Sequence, residues 1–307
     1  MTEILFELSL NIDTKDFSRW FQEKSSNGLV KITSDEYADC KYKEKGILFV
    51  FRDSTYKKKI KVVASHCAFD DDGNADAYRF IHRLDKKIRK YFDDEYSLDD
   101  FVLSAVSFVL DTDLGSDEKA HSYIGVLKRI GKVKKYRSVT RTDSFSKNCF
   151  CLLGKSNGIV FRTFAPGDVV KGEFAGTLRT EIRLSNCSAV RKVAECNTTM
   201  EQIQEIISEA DVIFKKIYCS IVPSGDFYKK RRVVDIINRE IEDVRLRRKM
   251  VKFVILVAEK KSLVLAQKAM NTRSMGKIMR AFEKIEVSPI TIGKREKEQY
   301  FKNVLTN

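Results

Sequence analysis

In the stretch GTLRTEIRL, Leu178, Thr180, Ile182 and Leu184 alternate with Arg179, Glu181 and Arg183. A period of two is that of a half-buried strand, so the three charges share one strand face. The same alternation predicts strands at EILFELSLNI, at residues 29–32 and 37–42, at GILFVFR, KIKVVAS and DDFVLSAVSFVLDTDL, near residues 133–140, and at CFCLLG and GIVFRTF. In the DDFVLS strand, Phe101, Leu103 and Ala105 are expected on one face and Val102, Ser104 and Val106 on the other. Between these runs the period changes to that of a helix. DTKDFSRWFQEK opens with Asp13 as N-cap, and NADAYRFIHRLDKKIRKYF gathers Ala77, Phe80, Ile81, Leu84, Ile88 and Tyr91 on one side. EKAHSYIGVLKRIGK is a helix closed by Gly131. GKSNG, with no upstream glycine and no helix after it, is a hairpin turn rather than a phosphate-binding loop. The order is β-α-β-β-β-β-α-β-α-β-β-β-β, and a β-α-β-β group recurs within it.

After Asn186 the strand period disappears. TTMEQIQEIISEADVIFKKIY reads as one helix capped at Thr199, followed by helical YKKRRVVDIINREIEDVRLRRKM, VKFVILVAEKKSLVLAQKAM and TRSMGKIMRAFEKI, with a break at VPSGD. The fold expected is α+β: antiparallel sheets of ferredoxin-like modules, with a pseudo-duplication, then a basic all-helical C-terminal region. The expected division is an α+β nucleic-acid-binding domain over residues 1–186 and a basic helical domain over 187–307.

Charge sharpens this picture. The net charge of +14 is uneven: residues 1–100 sum to −2 and residues 101–307 to +16. Such an excess attracts phosphates. Nucleic acid is the partner expected and a membrane is not, because no helix pairs a clean basic face with a Trp/Phe-rich one. The longest apolar run, FVILVA, is too short to span a bilayer, and the start MTEILFELSLNI lacks the basic region of a signal peptide. Seven scattered cysteines without a CxxC pair predict buried free thiols in a reducing, cytoplasmic compartment.

Candidate chemistry lies mainly in carboxylates. His66, His82 and His121 are not spaced as metal ligands, and His82 sits in a solvated helix among Arg83, Lys86 and Lys87. The acidic turn FDDDGN lacks the liganding Glu of a calcium loop. Asp111 and Asp113 lie two apart at a strand end, either a half-site for Mg²⁺ or Mn²⁺ or a pair of turn-forming aspartates. Glu181 can hold a metal or orient an arginine, and Arg179 can grip a phosphate with two hydrogen bonds. A cross-strand ion pair is the plainer alternative.

The segments LDKKIRKYFDDEYSLDDFVLSAVSFVLDTDLGSDEKAHSYIGVLKRIGKVKKY, CFCLLGKSNGIVFRTF and LRTEIRL, over roughly residues 80–185, resemble the rolling-circle, relaxase-like replication initiators of plasmids and phages. That resemblance implies a DNA-nicking endonuclease and strand transferase. In it a tyrosine attacks a DNA phosphate, acids hold a divalent metal, and an R-x-E strand, here Arg179 and Glu181, lines the site. It departs at two places. Ser107 stands near an expected acid, and Phe164 takes the place of a tyrosine, where a phenyl ring has no oxygen to attack phosphorus. Tyr228, followed by KKRR, and Tyr218 are the remaining candidate nucleophiles, with their phenolates favoured by neighbouring cations; ordinary packed helix residues are the plainer alternative for both. Asp111, Asp113 and Glu181 would then hold Mg²⁺ or Mn²⁺. Arg162, Arg179, Arg183, Lys229, Lys230, Arg231 and Arg232 would bind DNA as a hairpin or single strand, or RNA. Three readings stand: an active initiator, an inactive relative that regulates by binding hairpin nucleic acid or another nucleic-acid enzyme, and an RNA-hairpin-processing ribonuclease.

Overall fold

The computed structural model describes residues 1–25, 30–34, 37–44, 46–53, 58–69, 76–139, 149–168 and 174–305. The fold is α+β. The first part runs β1 (Glu3–Asn11), α1 (Thr14–Ser25), β2 (Val30–Ser34), β3 (Tyr37–Glu44), β4 (Ile47–Asp53), β5 (Lys58–Ser65) and α2 (Ala77–Tyr91). It continues with β6 (Val102–Asp113), α3 (Asp117–Lys128), β7 (Tyr136–Ser138), β8 (Cys149–Gly154), β9 (Ile159–Phe164) and β10 (Thr177–Leu184). Helices α4 (Cys187–Arg191), α5 (Thr199–Ser208) and α6 (Ala210–Ile221) follow, then β11 (Phe227–Tyr228), α7 (Lys230–Glu240), α8 (Val244–Lys260), α9 (Leu263–Met270), α10 (Met275–Lys284) and β12 (Tyr300–Phe301). The acidic turn expected at residues 70–74 lies outside the described residues.

The chain forms two compact units, each discontinuous in sequence. One comprises residues 1–110, 157–159 and 183–213; the other comprises 111–156, 160–182 and 214–307. Strands β6, β9 and β10 contribute residues to both. In the first unit the strand order is β2-β3-β4-β5-β1-β6, and the antiparallel partners include Phe6 with Ala64 and Phe6 with Val106. In the second it is β10-β9-β8-β7. The run β-α-β-β-β-β occurs twice, as β1 to β5 and as β6 to β10. In the first run the first strand lies beside the last, with the intervening strands following outward in reverse order, and in the second β10, β9, β8 and β7 follow one another in the same reverse order. The recurrence seen in the sequence is therefore a repeat of connectivity.

Hydrophobic alternation explains most of the strands, and one irregularity breaks it. The β1–β6 register slips between Glu7, opposite Ala105, and Leu8, opposite Leu103. Ser104 is the extra residue, and its hydroxyl donates to the Glu7 carbonyl at 2.8 Å. Beyond this bulge Ala105 to Val109 are all buried, so the simple two-faced pattern expected for this strand does not hold. The core of the first unit is aromatic: Trp20, Phe6, Phe49, Phe51, Phe92 and Phe101 are all nearly inaccessible. Burial of each phenylalanine contributes about 1.5–3 kcal/mol. In the second unit Tyr123 meets Phe227 and Phe301 edge-on at 5.6 and 5.4 Å.

Local capping sets the helix ends and corrects several of those expected. Asp13 caps α1 as expected, its Oδ1 accepting the Asp16 N–H at 2.9 Å. The cap of α5 is Thr198, one residue before the expected Thr199, in a capping box with Glu201. Thr199 instead turns inward and donates its hydroxyl to the Phe101 carbonyl at 2.5 Å. The single helix expected over 198–218 divides at Glu209 into α5 and α6. The two helical segments read on either side of Met250 do not divide there, because α8 runs straight through it. The chain breaks instead at residues 241–243, where the Asp243 carboxylate caps the Arg245 and Leu246 N–H groups. The C-terminal region is helical apart from β11 and β12, which pair antiparallel.

The six described cysteines are free, as expected, but none is buried: Cys67 and Cys219 are exposed and the rest half-buried. Among the described residues no helix is long and apolar enough to cross a membrane.

Candidate nucleic-acid interface

Strand β10 presents Arg179, Glu181 and Arg183 on one face, as its period requires, and each meets a partner of opposite charge. In the second unit Arg179 donates from Nε and Nη2 to the two carboxylate oxygens of Asp111, at 2.7 and 2.6 Å. Its guanidinium also lies 5.2 Å from the Phe174 ring. Glu181, only 6% exposed, accepts Arg162 Nε at 2.6 Å and is also bonded by Arg162 Nη2. In the first unit Arg183 donates to Glu7 at 2.6 Å and to the Ser107 hydroxyl at 3.2 Å, while Lys61 reaches the same Glu7 at 2.5 Å. Burial pushes the Glu7 carboxyl up, but the hydrogen bonds from Lys61 and Arg183 outweigh it and hold the group below its ordinary value.

These pairings bear directly on metal chemistry. Both Asp111 oxygens face a guanidinium, Glu181 is bonded by Arg162, and Asp113 accepts the Gly115 N–H at 2.7 Å as a turn residue does. Among the described residues no group of three or more His, Cys, Asp or Glu side chains is placed to hold a metal ion. Asp111, Asp113 and Glu181 as arranged do not fit a divalent cation.

Neither tyrosine is disposed as a nucleophile. Tyr218 is 1% exposed, and its hydroxyl donates to Asn303 Oδ1 at 3.0 Å. Burial, and after it the neighbouring Tyr123, pushes its pKa well up. Tyr228 lies half-buried on β11, its ring 5.0 Å from that of Tyr300. Burial and Asp226 raise its pKa against the opposing pull of Arg232, so its phenolate is disfavoured rather than favoured. Phe164 is buried, 5.3 Å from the Arg162 guanidinium.

The cations at the start of α7 divide by role. Lys229 points its ammonium at the carbonyls of Gly293 and Glu296, at 2.7 and 2.5 Å, and so fixes the loop before β12. Lys230, Arg231 and Arg232 are exposed and make no hydrogen bond or ion pair with a described residue. On α8 the same holds for Arg248 and Lys252. Between the two helices runs an open groove of about 330 Å³, with Val234, Val251 and Ile255 as its apolar lining and Arg247, Arg248 and Lys252 as its cations. Arg247 is held in place by hydrogen bonds to the Ile241 and Glu242 carbonyls at 2.9 and 3.2 Å. Arg248 and Lys252 were legible only as part of the basic run RLRRKMVK; no spacing distinguished them from the paired cations. A second feature had no sequence signal: His121 Nε2 lies 3.0 and 3.1 Å from the two Asp168 oxygens, although 46 residues separate them in the chain.

No family model matches this chain, and no curated protein matches it. Among solved structures, a rolling circle replication initiator protein from Geobacillus stearothermophilus is 13% identical at a TM-score of 0.35, over 71% of this chain and 84% of its own. The di-domain ARO/CYC BexL from the BE-7585A biosynthetic pathway is 10% identical at a TM-score of 0.23, over 70% of this chain and 95% of its own. StfQ, a di-domain ARO/CYC from the steffimycin pathway, is 8% identical at 0.24, over 71% and 96%. Likenesses this distant assign neither a family nor an activity.

Proposed function

We propose that this protein binds nucleic acid through the exposed cations of α7 and α8, and that the R-x-E strand serves the fold rather than a nicking reaction. One contrast carries the reading. Arg179, Arg162 and Arg183 are each neutralised by a carboxylate, whereas Lys230, Arg231, Arg232, Arg248 and Lys252 have no such partner among the described residues. A phosphate approaching the strand would have to displace Asp111, Glu181 or Glu7. One approaching α7 and α8 displaces only water and counterions. Three cations in the first turn of α7 also oppose the helix dipole, at about 0.3–1 kcal/mol each, so helix stability does not explain their position.

The sequence resemblance to replication initiators fits the nucleic-acid half of this reading. Against the nicking half, Tyr218 is buried, the Tyr228 phenolate is disfavoured, and Asp111, Asp113 and Glu181 are each bonded to another group. The protein is accordingly a binder, and an inactive relative of initiators is the closest of the sequence-based readings. Two assays test it. Charge reversal of Lys230, Arg231 and Arg232 to Glu should weaken binding to duplex and hairpin DNA or RNA by an order of magnitude or more. Supercoiled plasmid or labelled hairpins with Mn²⁺ should give no covalent protein–DNA adduct. A strong adduct lost in Tyr228→Phe would restore the nicking reading.

A further inference from the structure

Helix α2 buries Phe80, Ile81, Leu84 and Ile88 on one side. Its opposite side exposes Tyr78, Arg79, His82, Arg83, Lys86 and Lys90. Arg79, Lys86 and Lys90 are spaced seven and four residues apart, which aligns them along about 16 Å of helix surface, with Arg83, which has a partner of its own, between them. Of the helix's two acids beside this stripe, Asp76 caps the first turn and approaches Arg79 only at 3.9 Å, an exposed pair that neutralises little. Asp85 is turned to Arg89 and to the Leu98 N–H. At the head of the stripe Tyr78 is 73% exposed, the most accessible large apolar side chain among the described residues. Its ring is parallel to that of His82 within 4°, at a centroid separation of 6.4 Å.

We infer that this face of α2 binds single-stranded nucleic acid, with an unpaired base lying against Tyr78 and His82 and the following phosphates along Arg79, Lys86 and Lys90. An aromatic ring left in water beside aligned cations is the arrangement on which an unstacked base gains most, because the ring offers a face and the cations hold the backbone. A duplex gains less, since its bases are already stacked. The inference rests on the nucleic-acid reading above and adds to it a contact in the other compact unit and a preferred form of ligand.

The test is fluorescence anisotropy with labelled (dT)20 and a labelled duplex. Tyr78→Ala should weaken (dT)20 binding by about tenfold and leave duplex binding within about twofold. Tyr78→Phe, which keeps the ring, should restore (dT)20 affinity. The double variant Lys86→Glu/Lys90→Glu should weaken both. Tyr78→Ala binding (dT)20 as the wild type does, while charge reversal on α7 impairs binding, would overturn the α2 contact and leave the nucleic-acid reading intact. Equal weakening of single strand and duplex by Tyr78→Ala would also overturn it. Absence of wild-type binding to either ligand would defeat the reading itself, and the inference with it.

Discussion

Arg179 and Asp111 meet through two parallel hydrogen bonds in a setting where both side chains are mostly covered, at 24% and 18% exposure. Removing the acid leaves a half-buried guanidinium short of a partner. Asp111→Ala should therefore lower unfolding stability by about 1.5–3 kcal/mol, read from urea midpoints. Glu7 is the acid whose titration reports on its setting. Its pKa is held below the ordinary value, so its contribution is fully present above the ordinary carboxylate range. That contribution is lost as pH falls through the lower, folded value. Glu7→Gln should thus destabilise the protein at neutral pH, and the gap from wild type should close in acid. A gap that stays constant down to the most acidic pH at which both proteins fold would contradict the Lys61–Glu7–Arg183 account. The identity of these charges was legible in the sequence, because a strand period of two places them together. Their partners were not, since period alone does not say which strand lies alongside.

Among the elements, the order of strands and helices through β10 was legible because alternation and helical spacing differ strongly there. What escaped was set by single side chains that cap or bulge. Ser104 breaks β6 by bonding the Glu7 carbonyl, and Asp243 starts α8 by accepting two N–H groups. Neither changes the hydrophobic pattern enough to be seen. The turn at VPSGD was legible for a clear reason: Gly225 has φ +90°, and a Cβ placed on it would lie 2.5 Å from backbone atoms of Val287. Gly225→Ala should consequently cost more than the about 1 kcal/mol of an ordinary glycine replacement, read as a fall in Tm, and Gly276→Ala, with open space around it, should cost nothing.

At the scale of the whole molecule, the uneven charge was the most informative property of the sequence. It located the excess in residues 101–307 but could not separate cations that serve the fold from those that face solvent. Arg162 and Arg179 are consumed by carboxylates and Lys229 by carbonyls, whereas Lys230, Arg231, Arg232, Arg248 and Lys252, gathered on α7 and α8, are not and define the proposed interface. Counterion release makes this count measurable. The most direct measurement is the salt dependence of duplex DNA affinity for the wild type and for the variant with Lys230, Arg231 and Arg232 changed to Glu. If five cations each neutralise a phosphate, log K should fall linearly with log salt at a slope of about −4 to −5, and the variant's slope should be shallower by about three. A wild-type affinity indifferent to salt, or a variant with an unchanged slope, would contradict the placement of nucleic acid on α7 and α8.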